Sequence, residues 1–196
     1  MNDKITGVIL AGGLGRRMGG IDKGLQELRG QTMVHRVIER LAPQVDELLI
    51  NANRNVERYA AFGHRVVPDR IPDYAGPLAG LHAALSAATQ PLVATAPCDS
   101  PFLPADLVSR LLSALTATNA DLAVARTFDQ PHPVFCMCKR EVLPHLSEFL
   151  ASGGHKFEHG YATLKAVEVA FDDEAEAFEN INTREELDRW AATPGE

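Results

Sequence analysis

The densest concentration of chemistry-bearing residues is Leu10-Ala11-Gly12-Gly13-Leu14-Gly15-Arg16-Arg17-Met18-Gly19-Gly20-Ile21-Asp22-Lys23. Five glycines within nine residues, at positions 12, 13, 15, 19 and 20, let the backbone turn tightly and present bare N–H groups to a ligand. Arg16, Arg17 and Lys23 add positive charge. Backbone donors together with cations suit a polyphosphate, cradled where a strand ends and a turn begins. Two familiar phosphate loops do not fit. Walker A requires GxxxxGK[ST], and here Lys23 follows Asp22 and precedes Gly24. The dinucleotide pattern GxGxxG is met only loosely by Gly13, Gly15 and Gly19, with one residue too many. Its ribose-binding acid is missing, because Asn51 and Asn53 occupy the expected place.

Further candidates follow along the chain. Asp99, in Ala96-Pro97-Cys98-Asp99-Ser100-Pro101, closes the apolar run Leu92–Ala96, and the flanking prolines hold its carboxylate in place. Mg²⁺ needs only one or two protein carboxylates when substrate phosphates complete its octahedron, which makes Asp99 the candidate metal ligand. A local turn before Pro101 is the plainer alternative. Asp69 follows the run Arg65–Val67. Gly76 and Gly80, in Gly76-Pro77-Leu78-Ala79-Gly80, mark another strand-to-helix junction, where both residue types also serve ordinary turns. Asn180 and Asn182 precede Thr183, itself a helix cap. His132, between Pro131 and Pro133, is placed to reach a ligand crevice, whereas His35 and His82 fall within helical patterns and are assigned to structure. Lys156, in Gly153-Gly154-His155-Lys156, is either a second anion contact or a solvated lysine. Cys136 and Cys138 share one face of a presumed strand and are assigned to core packing.

The elements that must position these residues are legible as seven apolar runs: Ile5–Ala11, Glu47–Ile50, Arg65–Val67, Leu92–Ala96, Leu122–Ala125, Val134–Cys138 and Val167–Phe171. Most are continuous, as in strands buried on both faces of a parallel sheet. The last alternates, which predicts a half-exposed or edge strand. Between them, Val34, Val37, Ile38 and Leu41 keep helical spacing, as do Leu78, Leu81 and Leu85, and Leu107, Val108, Leu111, Leu112 and Leu115. Pro104 is predicted in the first turn of that third helix. Thr183-Arg184-Glu185-Glu186 reads as a capping box opening a last helix. Strand and helix in alternation predict an open, largely parallel α/β sheet in a single domain spanning 1–196.

Composition narrows the partners. Of 196 residues, 26 are Asp or Glu and 19 are Lys or Arg, a net charge of −7. That predicts no nucleic-acid and no membrane binding, since the sequence offers no long basic face. Three sparse cysteines, Cys98, Cys136 and Cys138, form neither CxxC pairs nor a disulfide framework and fit a reducing cytoplasm. Ile5–Ala11 is too short for a signal sequence or a membrane span.

In order and spacing, Leu10-Ala11-Gly12-Gly13, Arg16-Arg17-Met18-Gly19-Gly20, Asp22-Lys23-Gly24, Asn51-Ala52-Asn53-Arg54, Asp73 to Gly80, Pro97 to Pro101 and Asn180-Ile181-Asn182-Thr183 together resemble the molybdenum cofactor guanylyltransferases, the MobA family. The resemblance covers nearly the whole chain. It implies a three-layer, Rossmann-like nucleotidyltransferase fold and transfer of GMP from GTP to molybdopterin or Mo-molybdopterin. It further implies nucleotide contacts at Leu10, Ala11, Gly12, Lys23, Asn51, Asp69 and Asp99, with Asp99 also binding Mg²⁺. Gly13, Gly15, Gly76 and Gly80 join the expected GTP site, and Lys23, Asp99 and Arg17 the expected catalytic set. Asn180, Asn182, His132 and Lys156 are expected on the pterin side, where Gly154-His155-Lys156 stands in place of the arginine pairs of many relatives. Arg184 likewise replaces a common proline. Transient contact with molybdenum-insertion and acceptor molybdoenzyme proteins is also expected. Two alternatives stay open. A relative transferring CMP usually begins its first motif Leu-Ala-Ala-Gly, where this chain has Gly12. A non-catalytic nucleotide sensor would not need both Lys23 and Asp99.

Overall fold

A computed structural model describes residues 4–12, 22–71, 76–154, 160–161, 163–181 and 183–192. In chain order the elements are β1 (Ile5–Leu10), β2 (Glu27–Leu28), β3 (Gln31–Thr32), α1 (Met33–Leu41), β4 (Glu47–Asn51), α2 (Val56–Ala60), β5 (Arg65–Val67), α3 (Pro77–Ala87), β6 (Leu92–Pro97), α4 (Leu107–Thr118), β7 (Leu122–Thr127), β8 (Gln130–Lys139), α5 (Leu143–Ala151), β9 (Ala166–Ala170) and α6 (Arg184–Ala192). All seven apolar runs become strands of one sheet, ordered β5-β4-β1-β6-β8-β7-β9. β8 alone runs against the others, pairing antiparallel with β6 and β7. The chain steps outward from β1 to β4 on one side, then crosses to β6 on the other. The order therefore reverses between β1 and β6, where Leu10 lies opposite Pro97. Open α/β sheets bind ligands outside the carboxyl ends of the strands flanking such a reversal.

Alternate side chains of each strand enter opposite cores. Ile5 and Ile9 of β1 pack with Val34, Val37 and Leu41 of α1 and Leu107, Leu111 and Leu115 of α4. Val8 packs on the other face with Leu78, Leu81 and Leu85 of α3 and Leu146 and Leu150 of α5. Helix, sheet and helix make the expected three layers. Cys136 and Cys138 are fully buried on the α3 side, as core residues. β9 is the edge strand its alternation predicts: Val167 and Val169 pack inward while Ala166, Glu168 and Ala170 are exposed. Phe171, included in that run, falls beyond the strand and is fully buried where a 3-10 segment begins.

The start of α4 corrects one expectation. The helix begins at Leu107, so Pro104 lies before it rather than in its first turn. A long-range contact sets that boundary. The Gln44 side chain accepts the Val108 N–H (3.0 Å) and donates to the Pro104 carbonyl (3.0 Å), while the N-cap residue Asp106 makes no capping bond of its own. At α6 the capping box is present: Glu186 N–H donates to Thr183 Oγ1 (3.1 Å) and Thr183 N–H to Glu186 Oε2 (3.0 Å). The helix then packs Leu187 and Trp190 against a small cluster of Leu28, Met33 and Ile181.

Candidate functional site

The carboxyl ends of β1, β4, β5 and β6 meet at the reversal point, and each delivers a candidate residue. From β1 the chain runs into Ala11, whose N–H donates to the Asn51 carbonyl (2.8 Å), and then Gly12. From β6 it runs into Cys98, whose N–H donates to the Leu10 carbonyl (3.1 Å), and then Asp99. Lys23 reaches across from the far end of the glycine-rich segment and places Nζ 3.2 Å from Asp99 Oδ2, with side-chain exposures of 22% and 13%. Two residues 76 apart in sequence thus form one half-buried ion pair at the crevice. Each charge helps hold the other in position.

Asn51 ends β4 and is buried. Its carboxamide donates to the Val67 carbonyl (3.1 Å) and to Asp69 Oδ1 (2.8 Å). Asn53 donates to Asp69 Oδ2 (2.7 Å) and accepts the Asp69 N–H (2.8 Å). Two neutral amides therefore bind the Asp69 carboxylate and fix its plane. Two of the predicted glycines, Gly12 and Gly80, abut this network. A Cβ on Gly12 would lie 3.1 Å from Asn53 Nδ2 and 3.2 Å from Asn51 Oδ1, and one on Gly80 only 2.6 Å from Asn51 Oδ1. Gly76 differs. It caps α3 in an extended conformation, and a Cβ there would meet nothing within 4 Å.

On the Asp99 side, Ile181 N–H donates to the Asp99 carbonyl (3.0 Å) and Ser100 Oγ to Asn180 Oδ1 (2.6 Å). Asn180 is thereby brought to the same corner as Asp99. His132 stands at the start of β8, the end of that strand nearest the site. Its ring stacks on Phe178 (centroids 5.0 Å apart) and its Nε2 pairs with Thr127 Oγ1 (2.7 Å). Burial lowers its pKa, favouring the neutral ring. Of the two histidines assigned to structure, His82 in α3 pairs with Ser147 (3.0 Å), while His35 is exposed near Glu39 (3.9 Å). Arg17, Gly13, Gly15, Asn182 and Lys156, together with Arg16, lie outside the described residues.

Sequence reasoning missed the support beneath Lys23. Asp22 Oδ1 accepts the Tyr59 hydroxyl (2.6 Å) and Oδ2 accepts Asn55 Nδ2 (2.8 Å). Tyr59 and Asn55 come from α2 and the turn before it. That helix is too short to give a periodic signal, and nothing in the sequence around position 59 points toward position 22.

Among the described residues no group of three or more His, Cys, Asp or Glu side chains could hold a metal by itself. A single carboxylate such as Asp99 fits Mg²⁺ of the kind completed by substrate oxygens, and does not fit an all-protein cage.

A lysine–carboxylate pair at the reversal point of an open sheet, beside glycines packed on a buried amide network, is the arrangement of a ligand-binding α/β protein. The comparisons narrow this class. Residues 7–165 match the model of the MobA-like NTP transferase domain. The chain is 53% identical over 190 residues to a molybdenum cofactor guanylyltransferase from Cupriavidus necator, covering 94% of this chain and 95% of that protein. In fold it is similar to the molybdopterin-guanine dinucleotide biosynthesis protein A of Archaeoglobus fulgidus (TM-score 0.80, 24% identity, 95% and 96% of the two chains). It is also similar to a Mycobacterium tuberculosis protein solved in complex with manganese (TM-score 0.68, 20% identity, 97% and 100%). The chain belongs to the MobA-like NTP transferase family and is a nucleotidyltransferase.

Proposed function

We propose that this chain transfers GMP from GTP to molybdopterin or its molybdenum-loaded form, releasing pyrophosphate and leaving the guanine dinucleotide of the cofactor. The observation that carries this reading is the Lys23–Asp99 pair at the sheet's reversal point. It stands in a chain 53% identical, nearly end to end, to a guanylyltransferase.

A phosphate oxygen of the pterin forms the new bond to the α-phosphorus of GTP, and the bond from that phosphorus to the bridging oxygen of pyrophosphate breaks. Both partners are anions, so the protein's work is positioning and charge neutralisation, not covalent catalysis. Lys23 and Arg17, with Arg16, offset charge on the triphosphate and the departing pyrophosphate. Backbone N–H groups from Gly12 to Gly15 donate to phosphate oxygens. Leu10, Ala11, Asn51, Asp69, Gly76 and Gly80 shape the nucleoside side. A phosphate nucleophile is already ionised at neutral pH, so no general base is needed. Asp99 would hold Mg²⁺, which when bound supplies further neutralisation at the triphosphate oxygens. Asn180, with Asn182, His132 and Lys156, forms the pterin side.

We place all of this in one nucleotidyltransferase domain, 1–196, working in the cytoplasm. Among the described residues no helix is long and apolar enough to cross a membrane. Transient contact with molybdenum-insertion and acceptor molybdoenzyme proteins would hand the pterin in and out.

Pyrophosphate release from GTP, Mg²⁺ and molybdopterin tests the reading. Release with CTP in preference to GTP would favour the cytidylyl alternative. GTP binding without release would make the chain a sensor.

A further inference from the structure

We infer that Tyr59 and Asn55 are positioning residues, which clamp the Asp22 carboxylate and through it hold Lys23 at the phosphate site. The inference rests on the reading of Lys23 as a phosphate contact. Asp22 immediately precedes Lys23, and both of its carboxylate oxygens are taken, at 2.6 Å by the Tyr59 hydroxyl and at 2.8 Å by Asn55 Nδ2. Tyr59 is fully buried, so its hydroxyl has no water to turn to. Burial, with Cys98 and Asp22 beside it, pushes the phenol pKa well up and keeps it a donor.

The segment is pinned on its far side too. The Gln26 N–H donates to the Lys23 carbonyl (3.0 Å), the Val34 N–H to the Gly24 carbonyl (2.9 Å) and Gln26 Nε2 to the Asp22 carbonyl (3.3 Å). The backbone is thus held both before and after Lys23, which fixes where its side chain starts. Gly24 shows how closely the parts meet. A Cβ there would lie 2.7 Å from the Tyr59 hydroxyl and 3.1 Å from the Cys98 side chain. Only glycine lets the lysine segment pack between α2 and the end of β6, one residue from Asp99. A tyrosine kept solely for packing would need some hydroxyl partner, but not the carboxylate adjoining the cationic residue of the site.

The test is a double-mutant cycle on the full chain: wild type, Tyr59→Phe, Lys23→Ala and the pair. Two quantities are measured in each, kcat/KM for pyrophosphate release from GTP and molybdopterin, and the calorimetric Kd for GTP with Mg²⁺. Tyr59→Phe keeps the ring and removes one charge-assisted bond. It should lower kcat/KM about tenfold in the wild type and less than about twofold once Lys23 is gone, because a positioning residue has nothing left to position. An equal loss in both backgrounds, or none in the wild type, overturns the clamp. Asn55→Gly removes the second donor while keeping the left-handed φ of 50° accessible, and should show the same dependence on Lys23 if Tyr59→Phe does not fold. If the wild type releases no pyrophosphate, guanylyl transfer is refuted instead. The four GTP dissociation constants then decide the clamp by the same pattern.

Discussion

Replacing Gly80 by alanine sets two opposed effects against each other, and the structure fixes which prevails. Gly80 sits inside α3, where glycine-to-alanine ordinarily stabilises by about 1 kcal/mol. The new Cβ would lie 2.6 Å from Asn51 Oδ1, 3.3 Å from Asn51 Cγ and 3.0 Å from Leu10 Cδ2. The Leu10 methyl can rotate aside. The Asn51 carboxamide cannot move freely, because its Nδ2 is committed to the Val67 carbonyl and to Asp69. Forcing a methyl into a packed site costs about 1–3 kcal/mol, and stretching a bond to a carboxylate adds about 1–2 more. The net expectation is destabilisation by roughly 1–4 kcal/mol, a Tm lower by about 2–16 °C in a chain of this size. Misplacing Asn51 should also raise the KM for GTP, where Gly76→Ala, facing open space, should change little. Thermal unfolding and steady-state turnover of both variants provide the measurement. The decisive arm is Gly80→Ala on an Asn51→Ala background: with the obstructing amide gone, the helix preference should emerge and the sign should reverse to stabilising. If Gly80→Ala stabilises the otherwise wild-type chain and leaves the KM for GTP unchanged, the packing argument is wrong.

Gly12→Ala presses on the same amides from the β1 side, at 3.1 and 3.2 Å. It should reduce efficiency with GTP more than with CTP, by roughly 10-fold or more in the ratio, if the network reads the base; a fixed ratio with both rates lowered would confine Gly12 to the phosphate turn. Asp99→Asn should cut turnover by about 10²–10³ while the fold persists, and near-normal activity at limiting Mg²⁺ would refute the metal assignment. Stability should fall as the pH drops through the 6.5 region. Burial, helped by Arg70 in the case of His82, lowers the folded-state pKa of His82 and His132 below their ordinary 6.5, so the unfolded chain takes up protons first. Urea midpoints at pH 7.5 and 5.5 should show the loss, and His82→Gln with His132→Asn should flatten it; an unflattened slope assigns it elsewhere.

What the sequence made legible follows from how local its causes are. Buried strands and amphipathic helices write their burial into consecutive residues, and the capping box writes both partners within four positions, so Thr183 and Glu186 could be paired in advance. Of the candidate site, the described ends of the glycine-rich stretch, Gly12 and Lys23, stand at the sheet's reversal point as its spacing led one to expect. The start of α4 was not, because Gln44, sixty-four positions away, supplies the cap for Val108. Nor was the direction of β8, since apolar runs of strands buried on both faces read alike whichever way they point. Tyr59 escaped for a further reason. A tyrosine near a short helix looks like any core aromatic until its hydroxyl partner is known.

Those long-range partners also explain how an acidic protein can carry a polyanion site. A net charge of −7 repels GTP at a distance, so attraction has to be built locally and kept from collapsing into the surrounding carboxylates. Among the described residues, Asp22, Asp69 and Asp99 stand at this end of the sheet, and each is bound by a donor from within the fold. Asp22 is held by Tyr59 and Asn55, Asp69 by Asn51 and Asn53, and Asp99 by Lys23. Asp22 and Asp69 are held by neutral donors, which fix the carboxylates without using up any cation. Only at Asp99 is the partner charged. Asp99 is the carboxylate that would hold a metal ion and Lys23 the ammonium that would meet phosphate, so this pair could be exchanged for substrate partners. Ligand exchange at Lys23–Asp99 would then cost little, because each charge leaves one opposite partner for another, while the two amide-held acids keep the crevice in shape.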